Sequence, residues 1–172
     1  MPILSRPATT EFSQYYSRYV DRVPDGDVLG TLEAQQRETQ ALLRSIPESR
    51  ADHRYAPGKW SIREVLGHIA DTERIFAYRA LRVARGDATP LPPFDENAYV
   101  ENADFGSRPL PTLADDVQVV RAATLSLLRP LSDEELGRIG TASDSPISAR
   151  ALAWIIAGHE LHHVAILRER YL

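Results

Sequence analysis

Cysteine is absent from the 172 residues. That excludes disulfides, thiolate metal sites and a cysteine nucleophile. Any zinc-type site must therefore be built from His, Asp, Glu and water. Long apolar runs are missing as well, and no segment approaches the roughly 20 apolar residues of a membrane-spanning helix. The opening MPILSRPATTEFSQYY lacks the apolar run of a signal peptide, so a cytoplasmic protein is expected. Basic blocks are missing too. Arginines are scattered, the net charge is −4, and nothing draws the chain to nucleic acid or an anionic membrane. No run of alternating strand residues, internal repeat or low-complexity tract stands out.

What is present suits one globular domain over residues 1–172, with 43% hydrophobic and 26% charged residues. Thr10 to Val23 reads as a short helix ended by Pro24 and Gly26. Val28 to Ile46 carries leucines at helical spacing and stops at Pro47. Ser61 and Glu64 form a capping box for a long helix that Gly86 ends. Residues 87–111 form a long connection holding five of the twelve prolines. A loop of that length in a compact domain is usually functional or a crossover. Thr112 or Asp115 opens the next helix, Ser132 caps a short one, and Ser148 caps the last. The expected fold class is all-α: a four-helix bundle with short additional helices and a crossover between helices two and three.

Three of the five histidines fall in HELHH, residues 159–163. His159 and His163 lie one helical turn apart, a spacing at which two imidazoles can grip one ion. They continue the apolar line of Leu152, Ile156 and Leu167, so they face inward. Burying two imidazoles is costly unless their nitrogens have partners, and a metal would supply one. The pattern also reads H-E-x-x-H, the helix of a zinc protease. Against that reading, only VAILRERYL follows, Glu169 is its one candidate ligand and points elsewhere, and Glu160 is offset from the apolar stripe. A third ligand is expected from another helix. His68 borders the stripe of Val65, Ile69 and Phe76, whereas His53 sits in a polar loop.

GKWSIREVLGHIADTE, followed after about ninety residues by HELHH, together with the Pro-rich PPFDENAYV connection, resembles the DinB/YfiT-like superfamily. The resemblance covers nearly the whole chain. It implies a down-up-up-down bundle, often a homodimer. It implies a divalent metal, most often zinc or nickel, held by three histidines at the positions of His68, His159 and His163. His162 falls between the ligand positions and is assigned to packing or to supporting hydrogen bonds. Characterised relatives transfer small thiols or are described as metal-dependent hydrolases.

Two functional classes follow. In one, the chain is an enzyme acting on a small molecule, with an ion that activates bound water for hydrolysis or a low-molecular-weight thiol for transfer. Glu64 and Asp71, one turn either side of His68, are candidates to orient it or move protons, although Glu64 also has its capping role. Trp60, Asn97 and Tyr99 are candidates to touch substrate, and Asp95, Asn97 and Tyr99 to form a lid. In the other class the metal only staples the bundle, or the bundle binds a ligand without catalysis.

Overall fold

Capping side chains set where the helices begin. The structure, a computed structural model, describes residues 5–172. Asp27 accepts a hydrogen bond from the Leu29 amide and opens α2, Val28–Ser45. The Ser61 and Glu64 capping box opens α3, Ile62–Ala84. Ser148 accepts from the Ala151 amide at 2.8 Å and opens α7, Ala149–Ile166. The fourth long helix, α5, spans Leu110–Leu128 and begins earlier than Thr112 or Asp115. Its first turn tolerates Pro111, because amides there have no partner inside the helix, and the Leu110 amide donates to Glu48 instead.

The shorter elements depart further from expectation. The segment read as one helix over 10–23 is two 3₁₀ turns followed by a single α turn, α1, Ser17–Val20. Phe12 is fully extended between the turns and buries its ring. The long connection carries a helix, α4, Glu96–Asn102, and a 3₁₀ turn at Phe105–Ser107. After α6, Asp133–Gly137, comes a β-hairpin that the sequence reading missed. Its strands, β1 at Ile139–Ala142 and β2 at Ser145–Ser148, pair antiparallel around Ser143 and Asp144, both at positive φ. Four-residue strands are too short to reveal an alternating pattern. Leu91 bridges to Ala142, so the hairpin also anchors the long connection.

The bundle is down-up-up-down. Gln35 reaches the Ala157 carbonyl and Thr39 reaches Glu160, so α2 and α7 run parallel. Arg44 pairs with Asp115 and Arg129 with Glu33, so α5 runs against α2. Trp60 meets Tyr171 while His68 meets His159, so α3 runs against α7. The α3 and α5 helices are therefore parallel to each other, and the long connection between them is the crossover.

Two apolar clusters fill the interior. One gathers around Trp154, Leu32, Leu125 and Ile155, the other around Leu66, Ile69, Leu113 and Leu43. Between them lies a polar layer to which all four long helices contribute: Gln35 and Thr39, then His68, Thr72 and Glu73, then Arg121 and Thr124, then His159, Glu160 and His163. No buried side-chain nitrogen or oxygen among the described residues lacks a hydrogen-bond partner. No helix among them is long and apolar enough to cross a membrane.

Candidate metal centre

His68 comes from the middle of α3, and His159 and His163 come from successive turns of α7. Their Nε2 atoms converge: His68 stands 3.0 Å from His159 and 3.1 Å from His163. All three are buried, at 4%, 4% and 9% exposure. Each imidazole nitrogen offers one lone pair or one N–H, so three of them meeting at one point cannot satisfy one another by hydrogen bonds alone. An ion fits that point. Nitrogens bound about 2.0–2.1 Å from one zinc, at angles of roughly 90–110°, stand about 2.8–3.4 Å apart.

Surroundings hold the rings in place and keep them neutral. The Thr72 hydroxyl lies 3.3 Å from His68 Nδ1 and can accept a hydrogen bond from its N–H, leaving Nε2 free to face the cluster. The Trp60 ring covers His68 at 4.6 Å between centroids, and Tyr19 meets His159 edge-on at 5.3 Å. Burial, followed by the neighbouring His162, pushes the His68 imidazole down to about 4. Burial, and then the other imidazoles, hold His159 and His163 well below the ordinary histidine value. Neutral imidazole is the ligating form, so protons barely compete for the site near neutrality.

Two clefts reach the cluster. The first, about 290 Å³, is walled by Tyr16, Tyr19, Phe76 and Phe94 and bottoms at Thr72 and His159. The second, about 250 Å³, lies between Trp60, Tyr55, Asn97 and Tyr171 and touches His163.

The other candidates divide. Trp60 contacts the cluster and Asn97 lines the second cleft. Tyr99 is half exposed, packs its ring at a tilt on Phe94 at 5.4 Å and lines neither cleft. Asp95 caps α4 by accepting from the Asn97 and Ala98 amides. Glu64 is occupied by its capping box and by Arg54, at 2.6 and 2.9 Å, and Asp71 by Arg74. Neither faces the histidines. His162 packs its edge on Tyr19 and His163, outside the cluster. His53 is exposed beside Tyr171.

Glu160 is buried, which its offset from the apolar stripe did not suggest. Its Oε1 accepts from Thr39 at 2.5 Å and its Oε2 from Arg121 at 2.6 Å. Arg121 also forks onto both oxygens of Glu73, at 2.8 and 2.9 Å. With both oxygens engaged away from the histidines, Glu160 is no general base for a zinc protease. Sequence reasoning missed Arg121, although its signal is visible: it replaces an apolar residue on the line Val117, Arg121, Leu125, Leu128. Arg79 was missed in the same way, standing between Phe76 and Val83 on the buried face of α3.

A family model described as the DinB superfamily matches residues 31–167. The chain is 31% identical over 139 residues to a protein of Oceanobacillus iheyensis, covering 80% of each. It is 27% identical over 142 residues to YfiT of Bacillus subtilis, covering 80% of this chain and 79% of that one. Both relatives carry names that offer metal-dependent hydrolysis as a provisional assignment. Among solved structures, YfiT superposes with a TM-score of 0.68 at 21% identity, covering 98% of this chain and 95% of that one. It is described as having an unusual four-helix bundle topology. The DinB-like protein YjoA of Bacillus subtilis follows at 0.59 and 21%, covering 82% and 86%.

Proposed function

The chain belongs to the DinB superfamily, and from that premise we propose that it is a metal-dependent hydrolase whose divalent ion, zinc or nickel, is held by His68, His159 and His163. The observation that carries the reading is the convergence of three buried, neutral Nε2 atoms beside an open cleft. An ion held by these three imidazoles would supply Lewis-acid chemistry there, lowering the pKa of a bound water toward neutrality.

The chain's own residues then have separate tasks. Thr72 fixes the His68 ring by accepting a hydrogen bond from its Nδ1–H, the tautomer that leaves Nε2 free to ligate. Trp60 and Tyr19 limit the rotation of His68 and His159. Phe76 and Phe94 give the first cleft apolar walls beside His159. Catalysis is favoured over a purely structural metal because His159 and His163 each line a cleft.

The test is turnover by the metal-loaded chain on a panel of esters and amides, with and without an added small thiol, beside His68→Ala. Hydrolysis that needs no thiol and disappears in the variant supports the reading. Turnover only with thiol would replace hydrolysis by thiol transfer, and turnover in neither screen contradicts catalysis.

A further inference from the structure

Three arginines are buried: Arg63, Arg79 and Arg121, at 8%, 2% and 1% exposure. Two have carboxylate partners. Arg121 pairs with Glu73 and Glu160, and Arg63 with Glu48 and Asp52. Arg79 forms no ion pair among the described residues. Its Nη2 donates to the Pro92 carbonyl at 2.7 Å and to the Ser143 hydroxyl at 3.3 Å, both neutral acceptors. A buried arginine is rarely left without an anion, because the desolvated charge is costly.

Arg79 also faces a cavity. It lines the first cleft with His159 and Thr72, and its guanidinium carbon lies 5.9 Å from the Phe76 ring centre and 5.7 Å from that of Phe94. Burial pushes the Tyr16 phenol up, while the charge of Arg79 and a side-chain hydrogen bond with it pull it back, so guanidinium and phenol stand together on the cleft wall. One carboxylate shares the lining, that of Glu96 in the first turn of α4. It forms no ion pair with Arg79.

We propose that Arg79 anchors the carboxylate of a small, flat, apolar-bodied monoanion in this cleft. Aromatic walls at Tyr16, Tyr19, Phe76 and Phe94 suit an aromatic or short aliphatic body. The volume, about 290 Å³, lies just below the usual range of ligand pockets, roughly 300–1,000 Å³, so the ligand must be small. A single negative charge matches one guanidinium, whereas a phosphate dianion would be repelled by Glu96. That the far end of the ligand reacts at the three-histidine centre rests on the hydrolase reading; the carboxylate anchor does not.

Isothermal titration of the zinc-loaded chain with benzoate and phenylacetate, beside uncharged benzamide, tests the anchor. The expected result is saturable 1:1 binding of at least one acid, weakened about tenfold or more by Arg79→Gln, with benzamide indifferent to the variant. Binding should persist in metal-free protein, which separates this subsite from an acid held by the ion. Should Arg79→Gln fail to fold, Glu96→Gln carries the test, because removing the like charge should tighten acid binding about fivefold. The proposal is overturned if neither acid binds the wild type, if Arg79→Gln binds the acids as well as the wild type, if binding vanishes with the metal, or if Glu96→Gln leaves affinity unchanged. Retained acid binding without turnover would sink the hydrolase reading alone.

Discussion

Arg121 of α5 and Glu160 of α7 meet at 2.6 Å in the middle of the bundle, both almost wholly removed from solvent. Glu73 of α3 takes the other side of the same guanidinium, and Thr39 of α2 closes the set on Glu160. Burial pushes the Glu160 carboxyl up, and Arg121 restrains the rise. Replacing Arg121 with Met would leave two carboxylates buried without a counter-ion. Breaking a buried pair in this way costs roughly 3–5 kcal/mol. Denaturant unfolding of Arg121→Met should show that loss, and adding Glu73→Gln with Glu160→Gln should restore part of it. A loss below about 1 kcal/mol, the scale of an exposed pair, would mean that the network is no keystone.

Glycine gives a paired test of packing. A Cβ on Gly158 would lie 2.0 Å from the Tyr19 carbonyl oxygen, so the segment that presses Tyr19 on His159 must move. Overpacking of this kind costs about 1–3 kcal/mol or more. Gly30 is exposed on α2, with only Asp27 near the same added atom at 4.0 Å. There, Gly→Ala should stabilise by roughly 0.5–1 kcal/mol, the ordinary helix preference. Thermal unfolding of the two variants should move in opposite directions.

Acid should weaken the metal-free chain through its histidines. Burial holds the His68 imidazole down at about 4, against an ordinary value of 6.5, so between these values the unfolded chain binds the extra proton. His68 therefore stabilises fully above 6.5, and that contribution is lost as pH falls toward 4. The melting temperature of metal-free protein should drop over this window, and the drop should shrink in His68→Gln. A wild-type curve that matches the variant throughout would contradict the buried, neutral assignment.

Much of this fold was legible because caps and breakers leave local signals. Ser61, Ser132 and Ser148 mark helix starts in the sequence, and each accepts a backbone amide in the structure, whereas Asp27, which reads as part of the break before α2, proves to be its cap. The inward line through His159 and His163 was equally readable, since period alone puts them on the stripe of Leu152 and Ile156. What stayed hidden depends on contacts between distant segments. The Arg121 to Glu73 and Glu160 pairs span 48 and 39 residues, and nothing local separates a buried arginine from a surface one except the apolar line it interrupts. The Ser17–Val20 turn is likewise held by Gly158 and its neighbours, not by its own propensity.

Glu64 and Asp71 make a direct check of that reading. Spacing put both one turn from His68, yet Glu64 is committed to Ser61 and Arg54, and Asp71 to Arg74. Glu64→Gln should cost about 0.5–2 kcal/mol through the weakened cap and lost pair. Asp71→Asn should be nearly neutral, as exposed pairs are. Neither should change how much metal the purified chain holds. A fall in metal content in either variant would restore its role beside His68.

The central claim is that α3 and α7 share one ion. Mass spectrometry of metal content, on tag-free protein purified without chelator, tests it with wild type beside His68→Ala and a reloading step for each. The wild type should hold near-stoichiometric divalent metal, and His68→Ala should lose it while still folded. Metal retained by the folded variant, or none in the wild type after reloading, would contradict that claim.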